Sequence, residues 1–317
     1  MADIGKDIAL AKQILEQGKV VAIPTETVYG LAANALDEQA VASIFAIKER
    51  PSFDPLIVHV TSLDTIKKYS LNIPEKIQAL IEHFSPGPIT YLLPKKEIIP
   101  NIVTSGLDTV GLRIPAHPTT IALLEQLDFP LAAPSANPFG YISPTTPEHV
   151  NEQLGRKIDY ILDGGQSTIG IESTIVGIDD NDEIVIHRLG GISIEAIEKV
   201  VGKIALNINH ASNPKAPGQL LQHYAPKKPF LVGNIAELIE KNQHKKIGVL
   251  SFGNIDYKNI ELNLNLSTNS DLTEAACNLF TYMRQLDQAA IDVIITDFVP
   301  NIDLGKAIND RITRAKY

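Results

Sequence analysis

Apolar residues along the chain follow two spacings, one typical of helices and one typical of buried strands. Ile8 to Gln17 has the spacing of an amphipathic helix, and Gly18 is well placed to end it. The short apolar run Val20 to Ile23 then predicts a buried strand that ends at Pro24. Because the two patterns keep alternating along the chain, the sequence predicts an α/β fold.

The same patterns predict the other elements of the first two thirds of the chain. Further helices are predicted from Asp37 to Lys48, Leu63 to Tyr69, Glu75 to Phe84, Thr119 to Leu127 and from Thr146 onward. Further strands are predicted at Leu56 to Val60, Ile89 to Leu93, Val110 to Pro115, Leu131 to Ala133 and Ile158 to Leu162. Ile175 to Ile178 and Ile184 to His187 predict an antiparallel hairpin. We therefore expect a twisted mixed sheet with flanking helices.

The pattern divides the chain into two domains and a connecting segment. From residue 205 to 228 the apolar period is lost and Asn, Pro and Gly accumulate, which predicts a linker between a first domain of residues 1–204 and a second of residues 229–317. In the second domain, strands are predicted at Phe230 to Val232, Ile247 to Ser251 and Val293 to Asp297, and helices near Ala236, at Leu272 to Leu286 and at Lys306 to Arg314. This alternation predicts a smaller, Rossmann-like α/β domain without the glycine fingerprint.

Composition narrows the function classes. The chain has 28 Lys and Arg against 37 Asp and Glu, a net charge of -9, so it lacks the basic surplus of a nucleic-acid module. Its single cysteine, Cys277, excludes an intramolecular disulfide and a cysteine zinc cluster, and its simplest interpretation is a small buried apolar side chain. The N-terminus carries acidic residues and has the pattern of an amphipathic helix, unlike a secretory signal. Together with the lack of membrane-length apolar runs and the single cysteine, this predicts a cytoplasmic protein.

Polar side chains follow several predicted strands at the points where they end. The sequence has no phosphate loop of the G-x-x-x-x-G-K-[ST] type, no G-x-G-x-x-G, no H-E-x-x-H and no G-x-S-x-G. The remaining candidates are Thr27, Lys48, Arg50, Arg113, Ser135, Asn137, Ser173 and Arg188. Four cations with hydroxyls and an amide, and few nucleophiles, predict a pocket for a polyphosphate and a carboxylate. Catalysis there would come from positioning and charge stabilisation.

Each candidate also has an ordinary structural interpretation. Lys48 and Arg50 follow a helix, where basic residues stabilise the helix dipole. The polar turns at 24–31 and 134–138 could bond their own backbone. His59 could be a hydrogen-bonded core histidine.

Five segments taken together favour the functional interpretation. PTETVYGL, KERPSFDPLIVH, SAN, DGGQSTIGIESTIV and HYAP resemble, in this order, the motifs of the threonylcarbamoyl-AMP synthases, the two-domain form of the YrdC-like family. The resemblance covers most of residues 20–226. It implies an enzyme that converts L-threonine, bicarbonate and ATP to threonylcarbamoyl-AMP and pyrophosphate, the first step of threonylcarbamoyladenosine modification of tRNA. It also implies a YrdC-like fold for the first domain.

The resemblance assigns roles to individual residues. The residues matching the family's ATP contacts are Lys48, Arg50, Asp54, Thr109, Ser135, Asn137, Ser143, Arg188 and Tyr224, and Lys48 and Arg50 are also the expected catalytic pair. The residues matching its threonine contacts are Thr27, His59, Arg113, Ala133 and Ser173. Mg²⁺ is expected on the ATP phosphates rather than in a protein cage. The expected partners are the small-molecule substrates and a downstream threonylcarbamoyl transferase complex, and direct tRNA binding stays open.

Two other functions are compatible with parts of the pattern. The first is an RNA-binding module without adenylate-forming activity, which the net negative charge disfavours. The second is an enzyme that forms a carbamoyl-adenylate from carbamoyl phosphate, although such enzymes usually carry zinc-finger and acyl-phosphatase modules that this chain lacks. For the second domain, we expect a cover over the nucleotide, with the linker near Tyr224 crossing the mouth of the cleft.

Overall fold

The computed structural model describes residues 1–179, 181–206 and 224–316. In these ranges the first domain is built around one sheet of 11 strands. The strands are β1 Asp3–Gly5, β2 Val21–Ile23, β3 Gly30–Asn34, β4 Ile57–His59, β5 Ile89–Pro94, β6 Thr109–Arg113, β7 Leu131–Ala132, β8 Tyr160–Leu162, β9 Thr174–Ile178, β10 Ile184–Arg188 and β11 Ala205–Leu206. The helices are α1 Ile8–Glu16, α2 Glu38–Lys48, α3 Leu63–Tyr69, α4 Glu75–Phe84, α5 Asn101–Thr104, α6 Pro118–Leu124, α7 Pro147–Leu154 and α8 Ile194–Val201.

The first sheet mixes parallel and antiparallel neighbours. Its order is β1-β8-β2-β3-β7-β4-β6-β5-β9-β10-β11. Strands β4 and β6 are parallel, whereas β9 and β10 form the predicted antiparallel hairpin, with Ile178 opposite Ile184. The prediction of a twisted mixed α/β sheet is therefore confirmed.

Helix α2 leads into a basic corner of the chain formed by Lys48, Glu49 and Arg50. The Asp37 side chain accepts hydrogen bonds from the backbone N–H groups of Gln39 and Ala40 and so begins the helix. Lys48 is its last residue, and Glu49 ends it in a left-handed conformation with φ of 55°. The predicted helix end at Lys48 is confirmed.

The second domain is a parallel α/β unit. Its elements are β12 Phe230–Val232, α9 Ile235–Lys241, β13 Ile247–Ser251, β14 Leu262–Asn265, α10 Leu272–Gln288, β15 Val293–Thr296 and α11 Gly305–Ala315. The sheet order is β12-β15-β13-β14, and every pairing is parallel. The sequence analysis missed β14, because Leu262 and Leu264 are the only apolar residues of this short strand.

The connection between the domains is described only at its two ends. Strand β11 pairs with β10, so the first sheet extends beyond residue 204 into the segment that the sequence analysis assigned to the linker. Residues 207–223, which include His223 of the HYAP segment, lie outside the described residues. Tyr224 begins the second described part.

The two domains share an apolar cluster next to the site. Val28, Ile142 and Ile171 of the first domain pack in one buried group with Leu279 and Phe280 of α10. Burying side chains of this size stabilises a protein by about 1.5–3 kcal/mol each, so the shared cluster holds the domains together. No helix in the described part of the chain combines the length and apolarity needed to cross a lipid bilayer.

Candidate active site

A small cavity lies beside β4, β6, β7, β9 and β10, and its volume is about 50 Å³. Its walls are formed by Thr27, Val28, Arg50, Pro55, Ile57, His59, Arg113, Ala133, Pro134, Ser135, Glu172, Ser173, Arg188 and Tyr224. The predicted site residues in this set are Thr27, Arg50, His59, Arg113, Ala133, Ser135, Ser173, Arg188 and Tyr224. Residues far apart in sequence thus converge on one cavity that contains three arginines.

Arg113 reaches the cavity from the end of β6 and is almost completely buried. Its Nη2 lies 2.7 Å from Oε1 of Glu26, which is buried as well, and its Nε donates to Gly87 O at 3.4 Å. A buried guanidinium without an anion is costly, and Glu26 supplies that anion. These contacts fix the planar group at the cavity wall, where it can bind a carboxylate.

His59 lies next to Arg113, because the two residues are register partners on the parallel strands β4 and β6. Its burial, and secondarily the charge of Arg113, lower the pKa of His59 to about 3. The imidazole is therefore neutral near pH 7. A neutral ring beside the cavity can bind a polar ligand without adding charge.

Arg188, at the end of β10, forms a second cationic wall. It donates from Nε and Nη2 to Ser173 O at 3.1 and 2.9 Å, and from Nη2 to Ser173 Oγ at 3.1 Å. Ser173 Oγ also lies 2.8 Å from Thr90 Oγ1. Burial lowers the pKa of Arg188 to about 10, against the opposing charge of Glu172, so the guanidinium stays protonated near neutral pH.

Arg50 is held on the third wall by the loop that follows α2. Its Nη2 lies 2.8 Å from Asp54 Oδ2 and donates to Pro55 O at 2.9 Å, while its Nε donates to Asp54 O at 3.1 Å. Asp54 is fully buried and does not line the cavity. In this structure Asp54 positions Arg50.

Lys48, the other half of the predicted catalytic pair, is not part of the cavity wall. Its ammonium donates to Ser135 O at 2.5 Å and to Asn137 O at 2.6 Å, and the residue is 1% exposed. Burial first, and the charge of Arg50 second, hold the pKa of Lys48 well below its ordinary value. In this structure Lys48 ties α2 to the loop after β7 rather than presenting its charge to the cavity.

Three more residues with predicted ATP contacts lie outside the cavity wall. Asn137 donates from Nδ2 to Pro138 O at 2.8 Å and to Tyr141 O at 2.9 Å. Ser143 is fully buried and donates to Glu172, and Thr109 begins β6 opposite Pro94. None of the three lines the cavity.

Tyr224 closes one side of the cavity and belongs to the shared apolar cluster. Its ring stacks on Phe280 of α10, with centroids 5.4 Å apart and planes at 27°. The guanidinium carbons of Arg311 and Arg314, both on α11, lie 5.1 and 4.8 Å from the ring centroid. The second domain therefore holds this wall in place.

Sequence reasoning missed two carboxylates at the site. Glu172 lines the cavity, and Glu26 pairs with Arg113 behind it. Both occur inside segments that carry the family resemblance, Glu26 in PTETVYGL and Glu172 in DGGQSTIGIESTIV. The available signal was therefore a carboxylate among apolar and hydroxyl residues. A cluster of buried arginines also requires anionic partners.

Comparison with protein families shows which family this chain belongs to. A family model for Sua5, YciO and YrdC, described as telomere recombination, matches residues 13–190. The chain belongs to the Sua5/YciO/YrdC family. A second model, described as the C-terminal domain of threonylcarbamoyl-AMP synthase, matches residues 192–316.

Relatives of known name match nearly the whole chain. Proteins named threonylcarbamoyl-AMP synthase from Pyrococcus abyssi and Bacillus subtilis are 40% and 38% identical, over 97% of this chain and 93% and 92% of their own lengths. The crystal structure of P. abyssi Sua5 complexed with L-threonine superposes with a TM-score of 0.92, covering 98% of this chain and 94% of that one. The fold of both domains is thus shared with a two-domain Sua5 protein.

Proposed function

We propose that this protein is a threonylcarbamoyl-AMP synthase. The observation that carries the proposal is the convergence of Arg50, Arg113 and Arg188 on one cavity in a chain whose relatives of that name match it over nearly its whole length. The RNA-binding alternative is not favoured, because these relatives are named as synthases. The substrates are L-threonine, bicarbonate and ATP.

The reaction joins groups that repel one another. The amine nitrogen of threonine bonds to the carbon of bicarbonate, and water leaves, which gives a carbamate. A carbamate oxygen then bonds to the α-phosphorus of ATP while the bond from that phosphorus to the bridging oxygen breaks, and pyrophosphate leaves with the electron pair. Because the carboxylate, the carbamate and the triphosphate are all anionic, fixed positive charges lower the barrier.

The cavity offers a different set of groups to each substrate. Arg113 binds the threonine carboxylate, assisted by Thr27, His59 and Ser173, and the Ala133 methyl group adds an apolar surface. The threonine methyl group contributes about 1–3 kcal/mol of selectivity over serine where it fits an apolar surface. The remaining groups that bind ATP at the wall are Arg50, Ser135, Arg188 and Tyr224. Lys48 holds Ser135 and Asp54 holds Arg50 from behind, and Ser143 donates to Glu172. Asn137 accepts a hydrogen bond from Lys48, and Thr109 lies at the opposite end of β6 from Arg113.

The cavity must widen for ATP to enter. Its volume of about 50 Å³ is below the roughly 300–1,000 Å³ of typical ligand pockets. Tyr224 is the wall residue contributed from beside the linker, so its displacement opens the nucleotide side. In the closed position it excludes water from a hydrolysable acyl-adenylate.

Mg²⁺ enters this site on the phosphates of ATP. Among the described residues no group of three or more His, Cys, Asp or Glu side chains is placed to hold a metal ion. In nucleotide sites generally, Mg²⁺ is coordinated by substrate phosphates, water and one or two carboxylates. When bound, Mg²⁺ would neutralise part of the phosphate charge. Arg50 and Arg188 bind the same phosphates from the protein side.

The product is a mixed anhydride, so a threonylcarbamoyl transferase must consume it. We infer that this protein carries out the first step of threonylcarbamoyladenosine formation in tRNA and delivers its product to such a transferase complex.

Mass analysis tests the proposed function. Incubation with ATP, L-threonine and isotopically labelled bicarbonate is expected to give threonylcarbamoyl-AMP that carries the label, with pyrophosphate release dependent on threonine. Reactions without threonine are the control. Pyrophosphate release without a labelled adenylate, or no consumption of ATP, would rule the activity out.

A further inference from the structure

One arginine of the second domain reaches the cavity wall from behind. Arg311 of α11 is fully buried and donates from Nε to Glu172 Oε2 at 3.0 Å. Its Nη1 donates to Asp310 at 2.7 Å, which fixes the guanidinium within its own helix. Arg311 does not line the cavity, whereas Glu172 does. Any influence of Arg311 on a ligand therefore passes through a neighbouring side chain.

Two residues with predicted nucleotide contacts depend on this arginine. The second oxygen of Glu172, Oε1, accepts the hydroxyl hydrogen bond of Ser143 at 2.6 Å. The guanidinium of Arg311 lies 5.1 Å from the ring centroid of Tyr224, beside that of Arg314 at 4.8 Å. The wall residues assigned to threonine are held within the first domain instead, Arg113 by Glu26 and Ser173 by Thr90.

A carboxylate in a cavity for polyanions needs a cation of its own. Burial alone would raise the pKa of Glu172, but the charges of Arg311 and Arg188 outweigh it and leave the pKa below its ordinary value. With Arg311 in place, Glu172 is ionised and neutralised and can orient Ser143. Without Arg311, Glu172 would lose this ion pair and would keep only the compensating charge of Arg188 in a cavity for phosphates.

We propose that Arg311 is a positioning residue for the ATP half of the site, acting through Glu172 and Tyr224. The inference rests on the proposed function, because it concerns the binding of that substrate. It gives the second domain a defined role. The domain sets the geometry of the nucleotide wall and leaves the threonine wall unaffected.

Substrate-specific binding measurements test this role in the full-length protein. We expect Arg311→Met to raise the KM for ATP at least about tenfold, the effect of losing one charge-assisted hydrogen bond, and to leave the Kd for L-threonine unchanged. Arg311→Lys keeps the positive charge but loses the planar guanidinium. Its KM for ATP should therefore lie between those of the wild type and Arg311→Met. The matched control is Lys306→Met, which removes another ion pair between α11 and the first domain, with Glu195 at 2.5 Å.

The control separates positioning from domain docking. Lys306→Met is expected to retain the wild-type KM for ATP. An unchanged KM in Arg311→Met, an equal weakening of threonine binding, or an equal effect of Lys306→Met would overturn the inference. A wild-type protein that forms no adenylate would instead contradict the proposed function.

A second set of variants remains informative if Arg311→Met does not fold because Glu172 is left unpaired. Glu172→Gln removes that charge, and the double variant Glu172→Gln/Arg311→Met contains no unbalanced group at this position. If Arg311 acts through Glu172, adding Arg311→Met to Glu172→Gln should change the KM for ATP much less than it changes that of the wild type. Fully additive effects would contradict the inference.

Discussion

At the scale of single residues, the site depends on how buried charged side chains are paired. Arg113 interrupts an apolar strand, and the structure shows that it faces both the cavity and Glu26. The sequence indicated that the arginine needs an anion. Its counter-ion in the structure, Glu26, lies 87 residues earlier in the chain. Sequence patterns could not predict this pairing, because β2 and β6 are separated by three other strands in the sheet.

The Glu26–Arg113 pair gives the first prediction, on stability. Glu26→Ala is expected to lower the free energy of unfolding by about 3–5 kcal/mol, because it leaves a buried arginine without its counter-ion. Urea denaturation measures the change. Glu16→Ala, which removes the carboxylate of an exposed ion pair with Lys12, is the matched control and should change stability by at most about 1 kcal/mol. Equal effects of the two variants would contradict the assigned role of the buried pair.

His59 gives a prediction of pH dependence. In the folded protein its pKa is lowered to about 3, whereas the ordinary value is 6.5, so between these values the unfolded chain binds a proton that the folded protein does not. The resulting stability is fully present above pH 6.5 and is lost as the pH falls toward 3. We expect His59→Asn to reduce the slope of unfolding free energy against pH in this window by up to about 1.4 kcal/mol per pH unit. Identical slopes in denaturation series would show that His59 does not contribute.

At the scale of elements, the corner after α2 organises two loops. Lys48 binds the carbonyls of the loop after β7, and Arg50 binds the loop that leads into β4. The helix and its end were predictable from Asp37 and Pro51, because caps and prolines act locally. The inward direction of the Lys48 ammonium, toward carbonyls rather than the cavity, depends on tertiary contacts that local patterns do not encode.

This corner gives a prediction on activity. Lys48→Ala and the double variant Arg50→Ala/Asp54→Asn are each expected to abolish threonine-dependent pyrophosphate release while the protein stays folded. Lys48→Ala removes the anchor of the loop of Ser135, and the double variant removes a cation from the wall without leaving a buried carboxylate unpaired. Lys157→Ala is the control, since this exposed lysine binds Glu49 at the same corner. Steady-state pyrophosphate assays make the comparison. Wild-type turnover in either test variant would contradict the role of the corner.

At the scale of the whole molecule, two domains build one cavity. The polar residues at the ends of predicted strands indicated a pocket in the first domain, because strand ends meet at one edge of a sheet. The contribution of the second domain was not predictable in the same way. Glu172 and Arg311 are 139 residues apart, and their contact depends on how α10 and α11 dock onto the first domain.

Calorimetric titration of L-threonine tests the central claim, that arginines distant in sequence converge to bind the reacting anions. The test variant is Arg113→Met combined with Glu26→Gln, which leaves no buried charge unpaired at this wall, and the control is the exposed arginine variant Arg156→Met. The account predicts that the test variant raises the Kd for threonine by about 30-fold or more, which corresponds to losing about 2 kcal/mol of charge-assisted hydrogen bonding, and that the control binds as the wild type does. Wild-type affinity in the test variant, with the fold intact, would contradict the account.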